Sequence, residues 1–367
     1  WKTMALASFS KSKNIYDKKM NSIYKLTKDG FELDLSFFDY YLFDRQPHFY
    51  NKKLTSFFGK PRNKNEKITD KHHQVAGALQ RAFTNIVFHL LKITKQKGGK
   101  SNNIVIAGGA AMNCVFNGLL ENNNTYKNNF IPPWPDDLGV SIGAAYLENH
   151  NLGKKSKNEC QVYLGPGYSD SDILSLLKKF NLTFFKPDNI SKYIAERISK
   201  GHLIGWFQDR MEFTHRALGN RSILADPRKI EMQLKVNSAV KYRETFRPFA
   251  PAVLEEHASK IFMIKKKIKV PFMEKAVFVR NSWKKKIAAV VHVDGTARVQ
   301  TVNKKSNLSF YNLINEFYKI TNVPVLLNTS FNLNGEPIVM TPSDAIRTFH
   351  TCGLDTLVLQ DYVILKK

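Results

Sequence analysis

The spacing of apolar residues between positions 72 and 91 predicts a long amphipathic helix. Apolar side chains recur in this stretch at intervals of three and four residues: Val75, Leu79, Phe83, Ile86 and Leu90. Residues at this spacing fall on one face of an α-helix, so we expect them to form one apolar stripe.

A strand, a glycine pair and a helix follow in the next part of the chain. Residues 103–107 form a short apolar run rich in β-branched side chains, which predicts a buried strand. Gly108 and Gly109 come directly after it, before a helical pattern at residues 110–120. The glycine pair suits either close approach of a ligand to the backbone or tight packing of the helix on the sheet.

The remaining elements continue this alternation on both sides of a polar, lysine-rich stretch at residues 149–158, which is the predicted domain linker. The pattern predicts helices at 142–147, 172–180 and 190–199, strands at 203–208, 288–293, 323–327 and 356–360, a turn at Asn334-Gly335, and a helix with Thr341 as its N-cap and Gly353 as its stop. Strands that alternate with helices indicate an α/β fold, here in two domains.

Composition narrows the functional classes. The chain has 367 residues, 43% of them hydrophobic, and its formal net charge is +25. No apolar run approaches the roughly 18 residues of a membrane span, so we expect no membrane contact. Three widely separated cysteines suggest neither a metal site nor a disulfide framework, and a reducing cytoplasm fits best.

The positive charge is concentrated in lysine runs near residues 11–13, 154–155, 265–267, 284–286 and 304–305. Such runs are typical of a solvated surface. A nucleic-acid surface and the steering of small anionic substrates are the alternatives, and nucleic acid is the less favoured partner.

Cations also cluster at the ends of predicted strands. Residues 210–222 contain three arginines, Lys241, Arg243 and Arg247 follow, and Arg298 lies in a later motif. The neutral hydrogen-bonding side chains of residues 328–332 follow another strand. Because guanidinium groups bind phosphate in a bidentate manner, this arrangement predicts a pocket for a phosphorylated small molecule. The alternative is surface ion pairing with Glu212, Asp226 and Glu244.

Several of these motifs resemble the NodU/CmcH-type O-carbamoyltransferases. The stretches that carry the resemblance follow the family's order over nearly the whole chain: residues 108–117, 137–145, 163–166, 205–227, 241–251, 292–302 and 327–337. The resemblance implies the C-terminal part of an ASKHA (actin/hexokinase-like) domain at residues 1–158, followed by a YrdC-like α/β domain at residues 159–367.

The resemblance also implies a reaction in two steps. The YrdC-like domain would activate carbamoyl phosphate with ATP as carbamoyl-adenylate, and the ASKHA-like domain would transfer the carbamoyl group to a hydroxyl of a sugar or natural product. The expected small-molecule partners are therefore ATP, carbamoyl phosphate and a hydroxyl acceptor. A divalent metal, Fe or Mg, is the expected cofactor, and a homodimer is compatible with the resemblance.

Site residues are assigned by matching positions in the family's motifs. Those expected to hold carbamoyl phosphate are Arg216, Lys241, Arg298, Asn328 and Ser330. Gly108, Gly109 and Asn113 are expected to lie against the nucleotide. Asp137 is the expected metal ligand, whereas Asp136 is one position out of register. His292 and His350 are expected to be structural.

The chain also departs from the family's pattern. The family's metal site uses a His-x-x-x-His segment, and the first residues of this chain already match the middle of the family's first domain. We therefore expect an N-terminally truncated relative without most metal ligands. Thr214-His215 replaces a usual Gly-Pro before Arg216. A basic RNA-associated relative of the tRNA threonylcarbamoyl-modification proteins and a non-catalytic relative are the alternative interpretations.

Overall fold

The computed structural model of the protein describes residues 2–10, 12–40, 49–98, 100–154 and 160–366. By its internal contacts the chain divides into two compact units. The first consists of Trp1–Ile104 and Asn122–Phe130, and the second of Val105–Glu121 and Ile131–Lys367.

The first part of the chain is mainly helical. Its elements are α1 (Lys2–Ala7), α2 (Ile15–Asn21), β1 (Tyr24–Leu26), β2 (Phe31–Leu33), α3 (Lys52–Phe58), α4 (Asp70–Lys97), β3 (Asn103–Val105) and β4 (Asn128–Phe130). Strands β1 and β2 form an antiparallel pair, and β3 pairs with β4 in a second two-stranded sheet.

Helix α4 confirms the helix predicted at residues 72–91 and extends it at both ends. Its buried face differs from the predicted stripe, because Leu79 is 45% exposed while Ala78 and Ala82 pack into a small core with Met20 of α2 and Phe37. Small side chains allow neighbouring helices to approach α4 closely. The spacing therefore predicted the helix correctly but not the residues that its core uses.

The second compact unit is built on a larger sheet. Its helices are α5 (Cys114–Leu119), α6 (Leu138–Asn151), α7 (Asp170–Lys179), α8 (Ile190–Ser199), α9 (Glu231–Val236), α10 (Ala258–Ile261), α11 (Asn281–Lys284), α12 (Leu308–Thr321) and α13 (Pro342–Thr351). Its strands are β5 (Ile204–Phe207), β6 (Arg221–Ala225), β7 (Ala250–Leu254), β8 (Ala276–Phe278), β9 (Thr296–Arg298), β10 (Gln300–Val302), β11 (Val325–Ser330), β12 (Thr356–Leu359) and β13 (Tyr362–Leu365).

Seven of these strands form one mixed sheet in the order β10-β7-β11-β6-β5-β12-β13. The β10–β7 and β5–β12 pairs are parallel and the other neighbours are antiparallel. Strands β5 and β7 are buried along their whole length, which is why their sequences are continuously apolar rather than alternating. Strand β6 is equally buried although it begins with Arg221 and Ser222. Strands β8 and β9 form a separate antiparallel pair. The predicted α/β class is thus confirmed.

Elements with strong local signals are found where they were predicted. Helices α7 and α8 and strands β5, β11 and β12 lie at the predicted positions. Helix α13 begins after Thr341, whose side-chain oxygen accepts a hydrogen bond from the amide of Asp344 at 3.1 Å. Capping of this kind is local in sequence, so it could be predicted without knowledge of the packing.

One predicted strand is absent, and another is shorter and more exposed than predicted. Residues 288–293 do not form a strand; they contain a 3-10 turn, Ala288–Val290, in which Ala289 and Val290 are fully buried. A short apolar run fits either a strand or a buried helical segment, and here tertiary packing selects the helical form. The strand predicted at 103–107 ends at Val105, which is 66% exposed rather than buried.

The helix predicted at residues 110–120 is broken into two pieces. A 3-10 turn, Gly109–Met112, precedes α5, and Asn113 lies between them with ψ of 86°. The side-chain oxygen of Asn113 accepts a hydrogen bond from the amide of Phe116 at 3.0 Å, so this residue starts a new helix instead of continuing the old one.

The predicted linker at residues 149–158 begins within α6, which ends at Asn151. Residues 155–159, and with them the predicted boundary between 158 and 159, lie outside the described residues. The boundary therefore stays a prediction. None of the helices within the described ranges is both long and apolar enough to cross a bilayer.

Close packing of α5 on β8 holds residues 105–121 in the second unit. The side-chain amide of Asn117 donates to the carbonyl oxygens of Ala111 at 2.7 Å and Glu274 at 2.8 Å. A Cβ atom added to Gly118 would overlap the carbonyl group of Ala276. Helix and strand therefore meet backbone to backbone at this glycine.

We predict that Gly118→Ala lowers the free energy of unfolding by about 1–3 kcal/mol, because the added methyl group forces α5 away from β8. Urea unfolding followed by circular dichroism measures the loss. Gly143→Ala is the matched control, since Gly143 lies in α6 with no atom within 4 Å of its added Cβ. That variant should keep or gain stability, and equal losses in both variants would contradict the prediction.

Candidate functional site

The loop between β5 and β6 carries Arg216 and is held by one buried carboxylate. Oε1 of Glu212 accepts hydrogen bonds from the amides of Leu218 at 2.6 Å, Asn220 at 2.8 Å and Arg221 at 3.3 Å. Glu212 is only 4% exposed, and its burial raises the pKa of the carboxyl group. Glu212, which was considered as a partner for surface ion pairing, therefore fixes a turn instead.

The carbonyl oxygens of the same loop are held by the neighbouring strands. Nε2 of Gln300 donates to the carbonyl oxygen of Leu218 at 2.8 Å. Nδ2 of Asn328 donates to the carbonyl oxygen of Ala217 at 3.2 Å and to Oε1 of Gln300 at 2.9 Å. Amides and carbonyls of the loop are thus both satisfied, which fixes the backbone that follows Arg216.

Arg216 and Arg298 are close neighbours of like charge. Repulsion by Arg298, followed by burial, lowers the pKa of Arg216 to about 9. Neither guanidinium makes a hydrogen bond or ion pair with any residue in the described ranges, and Nε of Arg298 is buried without a partner. Two partly buried cations that lack a protein anion form a strong site for an anionic ligand.

Arg243 and Arg247 extend this cation cluster. Burial, the charge of Arg247 and that of Arg298 lower the pKa of Arg243 to about 9. Glu244 neutralises part of the charge, since its carboxylate lies 3.5 Å from Arg247. Asp226, by contrast, pairs with Arg228 at 2.6 Å. The acidic residues proposed as surface partners therefore do not neutralise Arg216 or Arg298.

Lys241 fixes the turn that follows β11. Its buried ammonium donates to the carbonyl oxygens of Ser330 at 2.6 Å and Asn332 at 2.8 Å, and to Oδ1 of Asn332 at 2.9 Å. Burial, with Arg243 and Arg247 nearby, holds the pKa of Lys241 well below its ordinary value. Oγ of Ser330 also donates to Oδ1 of Asn332 at 2.6 Å. Asn332 was not among the predicted site residues, although its motif was recognised.

The structure thus brings the five predicted carbamoyl phosphate residues into one connected region. Asn328 contacts the loop of Arg216, and its Oδ1 is buried without a hydrogen-bond partner in the described chain. Ser330 lies two residues further along β11 and contacts Lys241. The charge of Arg298 lowers the pKa of Arg243, and the charge of Arg243 lowers the pKa of Lys241. Electrostatic interactions therefore link the two parts of the region.

His292 lies close to this region and was expected to be structural. Its Nδ1 lies 3.2 Å from Oγ1 of Thr296, while its Nε2 is buried without a partner among the described residues. Burial lowers the pKa of His292 to about 4, with Asp294 opposing and Arg298 adding to the shift. At neutral pH the ring is uncharged and can offer a hydrogen bond without adding to the repulsion.

The predicted nucleotide residues lie on the exposed turn before α5. Gly108 has φ of 91°, and its amide donates to the carbonyl oxygen of Pro135 at 2.5 Å. A Cβ atom added to Gly108 or Gly109 would meet nothing within 4 Å. Within the described residues no packing contact therefore requires a glycine at Gly109, whereas the positive φ of Gly108 favours one there. The open backbone at both positions would allow a ligand to approach closely. Asn113 uses its side-chain oxygen to cap α5.

Asp137 is an exposed residue directly before α6, and its side chain makes no capping hydrogen bond. No group of three His, Cys, Asp or Glu side chains in the described part of the chain could hold a metal ion. One carboxylate does not make a metal site, since Mg²⁺ and Fe take several protein or water ligands. The residues described here do not fit the implied metal, and we derive no step through it.

The two residues that depart from the family's pattern both bind the segment before Asp137. Oγ1 of Thr214 donates to the carbonyl oxygen of Pro133 at 2.8 Å, and Nε2 of His215 lies 2.7 Å from Oδ2 of Asp136. The substitution therefore ties the Arg216 loop to the segment 133–136. Asp136, rejected as a metal ligand on spacing, has this contact instead.

A cavity opens beside Arg216, with a volume of about 30 Å³. Its wall is formed by residues from four segments of the second unit: Ala111, Met112, Ile131, Pro132, Pro133, Pro135, Thr214, His215, Arg216, Phe272, Met273 and Glu274. Burial raises the pKa of Glu274 to about 7. Nothing in the sequence marked Glu274, because its place on the cavity wall depends on contacts between distant segments.

Comparison with known proteins identifies the family. A sequence profile of the carbamoyltransferase N-terminus matches residues 1–146, and one of the carbamoyltransferase C-terminus matches residues 195–366. The chain belongs to the carbamoyltransferase family. The NodU-type resemblance recognised in its motifs is thereby confirmed, and the predicted domain boundary falls in the stretch between the two matched regions.

Curated relatives of this chain include rhizobial nodulation proteins. Nodulation protein NolO of Bradyrhizobium diazoefficiens is 42% identical over 83% of the chain, which covers 57% of that protein. Nodulation protein NolNO of Sinorhizobium fredii is also 42% identical over 83% of the chain, and the match covers 46% of NolNO. Nodulation protein U of Rhizobium tropici is 36% identical over 64% of the chain, and the match covers 39% of that protein. The chain thus spans about half the length of the first two relatives.

We predict that inorganic phosphate stabilises the folded chain through Arg298. A ligand that binds only the folded state raises the melting temperature, here by roughly 2–4 °C for each kcal/mol of binding free energy. Arg298→Gln should lose most of this rise. Without phosphate the variant should be at least as stable as the wild type, because Arg216 is freed from repulsion.

Differential scanning fluorimetry with increasing phosphate measures both effects. Arg280→Gln is the control, since Arg280 is exposed and its side chain donates only to the carbonyl oxygen of Ser259. It should keep the full response to phosphate. The prediction is wrong if Arg298→Gln and Arg280→Gln respond alike.

We also predict that Glu274 makes the fold less stable as pH rises. The folded-state pKa of about 7 lies above the ordinary value of 4.5 for a glutamate side chain. The folded state therefore binds the proton more tightly, and stability falls between pH 4.5 and 7. Glu274→Gln should reduce this fall, as seen in urea unfolding at several pH values. An unchanged pH dependence would show that the carboxyl group is not perturbed.

Proposed function

We propose that this chain contributes the activating half of an ATP-dependent O-carbamoyltransferase. In this proposal carbamoyl phosphate is activated with ATP as carbamoyl-adenylate, and the carbamoyl group then passes to a hydroxyl of a sugar or natural product. The observation that carries the proposal is the pair of guanidinium groups, Arg216 and Arg298, that lack an anionic partner in the described chain.

The charge of the substrate matches this pair. The phosphate of carbamoyl phosphate carries about two negative charges near neutral pH, and Arg216 and Arg298 offer two fixed cations. When the bond between the carbamoyl carbon and the bridging oxygen breaks, negative charge grows on the departing phosphate. Cations that are already in position stabilise that charge without reorganising.

The rigid loops around the cations support the same chemistry. Glu212 fixes the loop of Arg216, and Lys241 fixes the turn that carries Ser330. In the proposed complex Asn328 and Ser330 add neutral hydrogen-bonding groups, while Lys241 acts mainly by positioning the turn. Positioning of this kind lowers the entropic cost of reaction.

The atoms of the activation step balance only if water takes part. Carbamoyl phosphate loses inorganic phosphate, and ATP loses pyrophosphate as its α-phosphorus bonds to the carbamoyl group. The oxygen that joins the carbamoyl carbon to the α-phosphorus must then come from one water molecule. The proposed reaction therefore consumes water and releases both phosphate and pyrophosphate.

We assign the transfer step to the earlier part of the chain. Residues 1–158 would belong to an ASKHA-like domain with Gly108 and Gly109 near the nucleotide, and residues 159–367 to a YrdC-like domain. The names of the relatives refer to nodulation and specify no acceptor, so the acceptor is proposed only as a hydroxyl compound. A bound metal would supply Lewis-acid chemistry, but Asp137 alone cannot hold one.

The test is pyrophosphate release. We predict that the chain releases pyrophosphate from ATP only when carbamoyl phosphate is present, and that Arg298→Ala reduces the rate by at least about 100-fold, as expected for loss of a charge-stabilising group. Arg280→Ala should keep the wild-type rate. Release that is equally fast without carbamoyl phosphate would rule out the proposed function.

A further inference from the structure

A closed turn holds His292 against the first residue of β9. The amide of His292 donates to the carbonyl oxygen of Thr296 at 2.8 Å, and the amide of Gly295 donates to the carbonyl oxygen of His292 at 2.9 Å. Gly295 has φ of 82°, a conformation that glycine adopts without steric cost. The backbone of this turn therefore ties His292 to the strand that carries Arg298.

The hydrogen bonds of Thr296 decide which ring nitrogen of His292 carries the proton. Oγ1 of Thr296 lies 2.7 Å from Oδ1 of Asp294 and 3.2 Å from Nδ1 of His292. A hydroxyl group has one hydrogen to donate and an ionised carboxylate can only accept, so the hydrogen of Thr296 goes to Asp294. Oγ1 can then only accept from His292, which places the ring proton on Nδ1. Because burial lowers the pKa of His292 to about 4, the ring is neutral near pH 7 and its Nε2 is an acceptor.

Nε2 of His292 and Nε of Arg298 are complementary atoms. Both are buried, and neither makes a hydrogen bond within the part of the chain that the structure describes. Nε2 of His292 can accept, whereas the Nε–H group of Arg298 can only donate. Buried polar atoms in folded proteins are normally paired with each other or with bound water, since an unpaired one is costly.

The geometry of β9 brings the two side chains to the same face of the strand. Thr296 and Arg298 are two residues apart in β9, so their side chains project from one face, with Cα atoms about 7 Å apart. The ring of His292 contacts Thr296 on that face. The charge of Arg298 is also one of the causes that lower the pKa of His292. Contact and charge thus both place the imidazole near the guanidinium of Arg298.

We propose that His292 is a positioning residue for Arg298: its Nε2 binds the Nε–H group of Arg298 through one water molecule and so directs the other guanidinium N–H groups to an anion. One water molecule can accept from Nε–H and donate to Nε2 at the same time. The terminal N–H groups of Arg298 then stay available for two oxygens of a phosphate. The inference rests on the proposed function, in which Arg298 binds phosphate.

A neutral acceptor suits this position better than a charged side chain. A carboxylate would form an ion pair with Arg298 and compete with the anionic ligand. A protonated imidazole would add a third cation to the repulsion between Arg216 and Arg298. Burial keeps the ring of His292 neutral, and the hydrogen bond between Thr296 and Asp294 keeps the proton on Nδ1, so both alternatives are avoided.

Nuclear magnetic resonance tests the protonation of the ring directly. In the full chain with isotope-labelled histidine, near neutral pH, we expect Nδ1 of His292 to carry the proton and Nε2 to be unprotonated. The signals are assigned from their absence in the spectrum of His292→Gln. Thr296→Val removes the hydroxyl group at nearly constant volume and should move the proton toward Nε2. A protonated Nε2 in the wild type would contradict the inference.

The positioning role is tested by isothermal titration calorimetry with inorganic phosphate. His292→Leu should weaken phosphate binding about tenfold, as expected for loss of one hydrogen bond to a charged group. His292→Gln should keep most of the affinity, because its side-chain oxygen can accept in place of Nε2, and it gives a readout even if the leucine variant fails to fold. His350→Leu is the control, since His350 is exposed on α13 with its ring against Phe349, and it should bind phosphate like the wild type.

A double variant separates positioning from direct binding of the ligand. In the Arg298→Gln background His292→Leu should have no further effect on phosphate affinity, because the group that it positions is gone. A further loss in that background would show that His292 acts on the ligand itself, and equal losses in the leucine and glutamine variants would show a merely structural role. Either result overturns the inference, while phosphate binding that depends on Arg298 leaves the proposed function standing. If the wild type binds neither inorganic phosphate nor carbamoyl phosphate, the proposed function fails and the inference fails with it.

Discussion

The repulsion between Arg216 and Arg298 is the constraint on which the rest of the site depends. It lowers the pKa of Arg216 to about 9, which corresponds to a cost on the order of a few kcal/mol for keeping both groups charged near neutral pH. A free chain would relieve this repulsion by moving the side chains apart. The fold must therefore hold them in place, and the remaining features of the site are best understood as the means by which it does so.

Two buried groups fix the backbone around these cations. The carboxylate of Glu212 binds three amides of the loop after Arg216, and the ammonium of Lys241 binds the turn after β11. The hydrogen bonds between Gln300, Asn328 and the carbonyl oxygens of the loop join these two regions. Each of these two groups loses its hydration and gains several protein hydrogen bonds. The stability of the fold thereby holds Arg216 and Arg298 close together despite their repulsion, in position to bind a ligand.

The parts of this arrangement that could be predicted from the sequence have local signals. The Thr341 cap, the continuous apolar run of β5 and the motif around Arg216 are each contained within a few residues. Glu274 and Asn332 could not be recognised in this way, since their roles depend on Asn117 and Lys241, which are distant in sequence. The strand predicted at 288–293 was wrong for the same reason: burial of Ala289 and Val290, rather than their propensity, decides the local conformation.

The cavity beside Arg216 also shows that the two sequence regions of the family share one physical site. Ala111 and Met112 lie in the region matched by the N-terminal profile, whereas Arg216 and Glu274 lie in the region matched by the C-terminal profile. All four line the same cavity within one compact unit, because Asn117 and Gly118 join α5 to β8. If the chain were divided between residues 146 and 195, each piece would therefore lack part of the cavity wall. Arg216 and Arg298 both lie in the C-terminal region, so the N-terminal region contributes to the cavity wall but not to the cation pair.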